Sequence, residues 1–242
     1  MDFDGKTVLV TGSSSGIGER CAERFAALGA TVVVNSSHSV EAGGAVADRI
    51  GGIYLQADIS DEAAVQAMIA AAVDRTGRLD VVVNNAGTTK IIPHHDLDAV
   101  TDEVWHSIID TNLTGTWSVT RAAVPHLRDS DNGNVINVTS LAGVRVLGSS
   151  IPYAVSKAGL NHLTRLLARA LGPDVRVNAV APGLVDTPWT EDWDEIRAQV
   201  KATTPMRRPA TPDDIAEACL YLAKSTFVTG DILMVDGGHH LL

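Results

Sequence analysis

Short runs of Val, Ile and Leu recur along the chain, separated by longer stretches in which apolar residues return every three or four positions. The runs are "KTVLVT" (6–11), "TVVVN" (31–35), "IYLQA" (53–57), "LDVVVN" (79–84), "NVINVTS" (134–140), "VRVNAVA" (175–181) and "DILMVD" (231–236). They are continuous rather than alternating, the pattern of strands covered on both faces of a parallel sheet. Segments 17–28, 40–50, 61–76, 101–127, 152–171 and 212–223 read as helices. Two of them start with capping and first-turn residues, Ser60-Asp61-Glu62 and Thr211-Pro212-Asp213-Asp214. The alternation predicts one doubly wound α/β domain over 1–242, a seven-stranded, mainly parallel sheet with helices on both faces. One stretch, 184–209, has no clear sheet role and carries Trp189 and Trp193. It follows a strand's C-terminal end, where open α/β sheets hold their ligands. It is a candidate substrate lid, with an ordinary covering helix as the alternative.

Composition narrows the setting. At 242 residues and 45% hydrophobic content the chain can build a full core. Nineteen basic against 29 acidic residues leave a formal charge of −10, which argues against nucleic acid or an anionic membrane as a partner. Two cysteines, Cys21 and Cys219, make no disulfide framework and suit a reducing compartment. The start "MDFDGKTVLV" has no basic, long apolar leader, and no window has the length of a membrane span, so the expected location is cytoplasmic.

Residues 11–18 read "TGSSSGIG" between an apolar strand and a helix with Ile17, Cys21, Ala22 and Phe25 on one face. As T-G-x-x-x-G-x-G this is a phosphate-binding turn. Unpaired N–H groups at a helix N-terminus attract an anion, and the glycines permit the turn, the close approach and the packing. The same stretch contains G-x-S-x-G, a nucleophile elbow at Ser14, with Asp236 and His239 or His240 as conceivable partners. Only one strand precedes Ser14, which leaves no upstream loop for a second oxyanion donor, so the elbow reading is the weaker.

"YAVSK" sets Tyr153 and Lys157 four apart at the start of a helix opened by Pro152, which puts both on one face. A phenol with a pKa of about 10 is a poor acid–base catalyst at neutral pH, and a neighbouring ammonium lowers that value. Ser140 closes a strand before them, Asn112 lies in "DTNLTG", "NNAG" (84–87) ends the fourth strand and "APG" (181–183) the sixth. His94-His95 and His239-His240 lack carboxylate or Cys company and are read as surface or loop residues rather than metal ligands.

With TGxxxGxG, Asp58-Ile59 after strand three, NNAG, Asn112, Ser140, YxxxK and PG in order, the chain resembles the short-chain dehydrogenase/reductase family over essentially its whole length. The resemblance implies a Rossmann-type fold and a hydride exchange between a nicotinamide and a carbonyl or secondary alcohol. It implies a catalytic set of Asn112, Ser140, Tyr153 and Lys157. Tyr153 exchanges the proton on the substrate oxygen and Ser140 hydrogen-bonds that oxygen. Lys157 lowers the Tyr153 pKa and binds the ribose hydroxyls, and Asn112 holds a relay water.

For the cofactor it implies Gly12, Ser14, Gly16, Ile17 and Gly18 around the pyrophosphate, and Asp58 and Ile59 at the adenine. Asn85, Ala86 and Gly87 line the middle of the site, with Pro182, Gly183, Val185 and Thr187 at the nicotinamide, beside Tyr153 and Lys157. After strand two stand Asn35, Ser36, Ser37 and His38, with no acid until Glu41, so NADP(H) is favoured over NAD(H). Among family members the chain is similar to 3-oxoacyl-carrier-protein reductases, although Arg207, Arg208 and Pro209 replace a Gly-rich turn. Sugar, polyol and small-alcohol dehydrogenases are the alternatives, then a non-catalytic nucleotide sensor. A homotetramer or homodimer through 101–127 and 152–171 is implied.

Overall fold

A computed structural model describes residues 3–242. All seven expected strands form: β1 (Thr7–Val10), β2 (Thr31–Ser36), β3 (Ile53–Gln56), β4 (Val81–Asn84), β5 (Gly133–Val138), β6 (Val175–Pro182) and β7 (Ile232–Val235). They make one sheet in the order β3-β2-β1-β4-β5-β6-β7, with every pairing parallel. Every residue of β1, β4, β5 and β6 is buried, whereas the edge strands β3 and β7 are only partly covered. This is why the central strands are rich in Val and Ile, while the buried Asn134, Asn137, Arg176 and Asn178 among them are hydrogen-bonded. Burying each Val or Ile side chain contributes roughly 2 kcal/mol.

The helices are α1 (Gly16–Ala27), α2 (Val40–Ile50), α3 (Glu62–Thr76), α4 (Asp102–Ile109), α5 (Thr116–Arg128), α6 (Ile151–Leu171), α7 (Asp194–Thr203) and α8 (Pro212–Lys224). On one face Phe25 of α1 and Val46 of α2 pack towards β1 and β2, and Leu222 of α8 towards β5 and β6, in one cluster. On the other, Ile69 of α3, Leu127 of α5 and Leu167 of α6 pack on Leu9, Val82 and Val135. The expected starts hold. Asp61 accepts from the N–H groups of Ala63 and Ala64, and Thr211 forms a reciprocal capping box with Asp214.

One feature differs from the sequence reading and a second falls within it. The helix expected over 101–127 is α4 and α5, joined by a π-helical turn, Asp110–Gly115. The widened turn buries Asn112 and brings Gly115 so close to β3's exit that a Cβ there would lie 2.8 Å from the Ile59 carbonyl. The second is α7, a helix inside 184–209. Its mostly polar sequence is pinned by Arg197, which donates to Asp186 at 2.9 Å, to Asp194 at 2.8 Å and to the Thr190 carbonyl at 3.0 Å.

The strand order reverses beside β1, which has β2 on one side and β4 on the other. The carboxyl ends of strands at such a switch point leave a crevice. The cleft described next opens there.

Candidate active site

The cleft is about 1040 Å³ in volume and runs across the carboxyl ends of the strands. At one end the chain leaves β1 through Gly12, at φ +61°, and enters α1 through Gly16, at φ +60°, both conformations that favour glycine. A Cβ on Gly12 would lie 2.7 Å from the Ala86 Cα, so this turn touches the turn after β4 backbone to backbone. Thr11 fastens the two turns, its hydroxyl accepting from the N–H groups of Asn85 and Ala86 at 3.1 Å each. The Asn85 amide returns two bonds, to the carbonyls of Thr11 and Gly12 at 3.1 and 2.9 Å.

Of the residues singled out for a dinucleotide, Gly12, Ser14, Gly16, Ile17, Asn35, Ser36, Ser37, Asp58, Ile59, Asn85, Ala86, Gly87, Tyr153, Lys157, Pro182, Gly183, Val185 and Thr187 all line the cleft. Gly18 does not. It packs behind the turn, where a Cβ would meet the Gly12 carbonyl at 2.4 Å, so its small size serves the protein rather than the ligand. The side chains of Asn35 and Ser36 are committed internally. Asn35 donates to the carbonyls of Leu55 and Ala57 at 3.1 Å each and accepts from the Gly12 N–H at 3.3 Å. Ser36 donates to the Ser39 carbonyl at 3.0 Å and pairs with the Tyr54 hydroxyl at 2.8 Å. Ser37, His38 and Ser39 are exposed polar residues lining this end. Asp58 accepts from the Ser60 N–H and hydroxyl at 2.9 and 2.7 Å, which fixes its carboxylate at the rim.

Ser140 and Tyr153 both line the cleft, with the Ser140 hydroxyl near enough to act on the Tyr153 phenol. Ser140 follows β5 and caps a short helical turn, accepting from the Ala142 N–H at 3.1 Å. Tyr153 sits in the first turn of α6, where Pro152 is tolerated because its missing N–H needs no partner. One turn on, Lys157 is buried and donates to the Val138 carbonyl at 2.9 Å. An ammonium has three donors, and this single protein acceptor leaves capacity for a ligand's hydroxyls. Burial drives the Lys157 pKa down to about 8. The Tyr153 pKa is raised, because burial opposes the phenolate more than the neighbouring Ser140 hydroxyl favours it. The net lowering expected for Tyr153 is therefore reversed in direction. Trp189, beyond β6, meets the Tyr153 ring edge-on at 6.4 Å between centroids.

Asn112 does not line the cleft. Its amide accepts from the Thr88 N–H at 2.7 Å and donates to the Thr88 carbonyl at 3.0 Å and the Ser156 hydroxyl at 3.1 Å. The side chain thus acts as a brace between α6 and the strand exit. Residues not singled out from the sequence include Thr11, Thr88 and Ser156, polar positions whose partners lie far away in the chain. Within 184–209 the cleft is lined by Trp189, Trp193 and Ile196, among others.

The elbow reading finds no support in the geometry. Asp236 does accept from the His240 ring at 2.9 Å, but no hydrogen bond among the described residues joins a histidine to Ser14. Arg145 instead draws that tail inward, donating to the main-chain oxygens of His240, at 2.7 Å, and Leu242.

A family model described as enoyl-(acyl carrier protein) reductase matches residues 12–240. A ketoacyl reductase named for the granaticin polyketide synthase of Streptomyces violaceoruber is 56% identical, over 97% of this chain and 96% of that one. A 3-oxoacyl-(acyl-carrier-protein) reductase of Thermotoga maritima is 35% identical, over 98% and 99% of the two chains. A solved structure from Burkholderia xenovorans, named as a short-chain dehydrogenase/reductase, superposes with a TM-score of 0.91 at 35% identity, covering 98% of each chain. The chain belongs to the short-chain dehydrogenase/reductase family. As a member it is an NAD(P)-dependent oxidoreductase acting on CH–OH groups. The glycine turn, the open strand ends and the underused Lys157 ammonium fit such a dinucleotide. No helix among the described residues is long and apolar enough to cross a membrane.

Proposed function

We propose that this enzyme reduces the 3-oxo group of a thioester-linked acyl chain to the 3-hydroxy group, with NADPH as reductant. The observation that carries the reading is that Ser140, Tyr153 and buried Lys157 line one cleft. Two hydroxyls suit an oxygen, which makes them better matched to a carbonyl than to a carbon–carbon double bond. When bound, the nicotinamide supplies the hydride that reaches the carbonyl carbon. Ser140 holds the substrate oxygen as charge develops on it, and Tyr153 delivers the proton. A phenol kept protonated by burial is ready for that direction. Lys157 holds the ribose hydroxyls, and Asn112 braces the wall beneath it. The similarity to reductases named for 3-oxoacyl substrates supports the substrate class.

The preference for NADPH rests on the exit of β2. Ser37 and His38 are exposed there and no carboxylate follows until Glu41, so a 2′-phosphate meets donors without a repelling charge. Segment 184–209 acts as the substrate lid, its tryptophans closing over Tyr153. The enzyme assembles as a homodimer or homotetramer through α4–α6, where Trp105, Trp117, Val155 and Leu166 are exposed. Its two thiols, both buried and unlinked, suit the cytoplasm.

The test follows nicotinamide absorbance with a 3-oxoacyl-N-acetylcysteamine thioester. The expected result is turnover with at least a tenfold preference for NADPH, about 1.4 kcal/mol. Turnover of polyols or sugars alone would overturn the substrate class, and an NADH preference the cofactor choice.

A further inference from the structure

Three parts of the chain meet at the Tyr153 ring, and they hold it unequally. Lys157, one turn along α6, places its ammonium 5.8 Å from the ring centre. The loop before α6 passes at Gly148, where even an added Cβ would lie 3.8 Å from a ring carbon. That loop therefore gives the ring room rather than support. The third is Trp189, whose ring meets the phenol edge-on, with 6.4 Å between centroids and 87° between planes. This is the geometry of a favourable aromatic pair. Trp189 is the one aromatic partner of Tyr153 among the described residues.

The indole is itself firmly carried. Trp189 lies in the short helical turn Pro188–Thr190, beyond β6. The buried Thr190 fastens that turn to the chain before it. Its hydroxyl donates to the Val185 carbonyl at 2.7 Å and accepts from the Thr187 N–H at 3.2 Å. The Asp186 N–H donates to the Ala210 carbonyl at 2.9 Å, and Arg197 ties the Thr190 carbonyl to α7. Yet Trp189 stays 48% exposed. A tryptophan that served the core would be more deeply buried. What its position secures is the contact with the phenol.

We propose that Trp189 is a positioning residue that holds the Tyr153 ring in register with the substrate oxygen, so that the lid segment takes part in proton delivery. The inference rests on the reading of Tyr153 as the proton donor. It goes beyond that reading, in which 184–209 only covers the substrate. Tyr153 stands in the first turn of α6 and swings about its side-chain torsions, so a lost contact along the ring displaces the hydroxyl at its end. A displacement of about 1 Å at the reacting atoms can cost on the order of a hundredfold in rate. The effect falls on kcat, because the contact acts on the group that delivers the proton and not on substrate affinity.

The test measures reduction of a 3-oxoacyl-N-acetylcysteamine thioester by the wild type, Trp189→Ala, Trp189→Phe and Tyr153→Phe, with NADPH saturating, in light and heavy water. Trp189→Ala is expected to lose kcat by about tenfold or more, with KM little changed. Its solvent isotope effect on kcat rises, because the proton step has become slower. Trp189→Phe keeps an aromatic ring against the phenol and recovers most of the rate. Calorimetric titration with NADPH and thermal unfolding, both at wild-type values, show that the variants are folded. An unchanged kcat in Trp189→Ala, a loss carried by KM alone, or an isotope effect that does not rise would overturn the assignment and leave the reductase reading standing. Equal losses in the two Trp189 variants would do the same. Turnover retained by Tyr153→Phe, or absent in the wild type, would overturn that reading and this inference with it.

Discussion

The Lys157 ammonium lies 5.8 Å from the centre of the Tyr153 ring, close enough for its charge to act on the ring, and its protein acceptor is the Val138 carbonyl on β5. The two side chains share one face of α6, and burial acts on them in opposite directions, raising the phenol and lowering the ammonium. In each case burial favours the neutral form.

This has a consequence for stability. With the Lys157 pKa at about 8 instead of 10.5, the folded protein carries a buried charge below pH 8 that costs on the order of 3 kcal/mol. Between about 8 and 10.5 the folded chain has released the proton that the unfolded chain still holds, so this cost fades as pH rises. Cofactor-free Lys157→Met is therefore expected to be more stable than the wild type at pH 7, with the gap closing by pH 10. Thermal unfolding of both proteins across that range checks it.

Asp80, where β4 begins, is a structural counterpart with the opposite sign. Burial opposes its ionisation, but hydrogen bonds from Arg78, Ser130 and the Thr7 N–H outweigh that and lower its pKa below 3.8. Its contribution is fully present above pH 4 and is lost as pH falls through the folded pKa. Asp80→Asn is expected to lose about 3 kcal/mol in denaturant titration, with the KM for substrate unaltered. A shift in KM would tie Asp80 to the site.

Much of this was legible along the chain because it is local. Runs of Val, Ile and Leu marked every strand, and the Tyr153–Lys157 spacing needed only a helix to become a shared face. What stayed hidden depends on partners distant in sequence. Asn35 and Ser36 look free for a cofactor until Leu55, Ala57 and Tyr54 claim their side chains. Asn112 reads as a cleft residue until Thr88 and Ser156 take both ends of its amide. The π turn around it interrupts no apolar period, so 101–127 reads as one helix. α7 has only Val200 fully buried, which leaves its sequence without a strong apolar stripe.

The glycine turn gives a prediction about binding. Gly12→Ala places a Cβ 2.7 Å from the Ala86 backbone at a φ of +61°. The strain, on the order of 2 kcal/mol, pushes the two turns apart and is expected to weaken NADPH binding more than tenfold. Fluorescence titration of bound NADPH measures this, and binding at wild-type strength would show that the contact is dispensable.

At the exit of β2, Ser37→Asp introduces a carboxylate where the 2′-phosphate is expected. Its kcat/KM for NADPH should fall at least tenfold while that for NADH holds or rises. An equal fall with both cofactors would place the 2′ position elsewhere.

The central claim is that Tyr153, and not Ser14, does the chemistry. Its most direct test measures 3-oxoacyl reduction by Tyr153→Phe and Ser14→Ala at saturating NADPH, with cofactor binding followed in parallel. The account predicts that Tyr153→Phe binds NADPH and loses turnover by about a thousandfold or more, the scale of a lost general acid. Ser14→Ala should keep its kcat within a few-fold. Turnover that survives in Tyr153→Phe, or vanishes in Ser14→Ala with NADPH still bound, would contradict it.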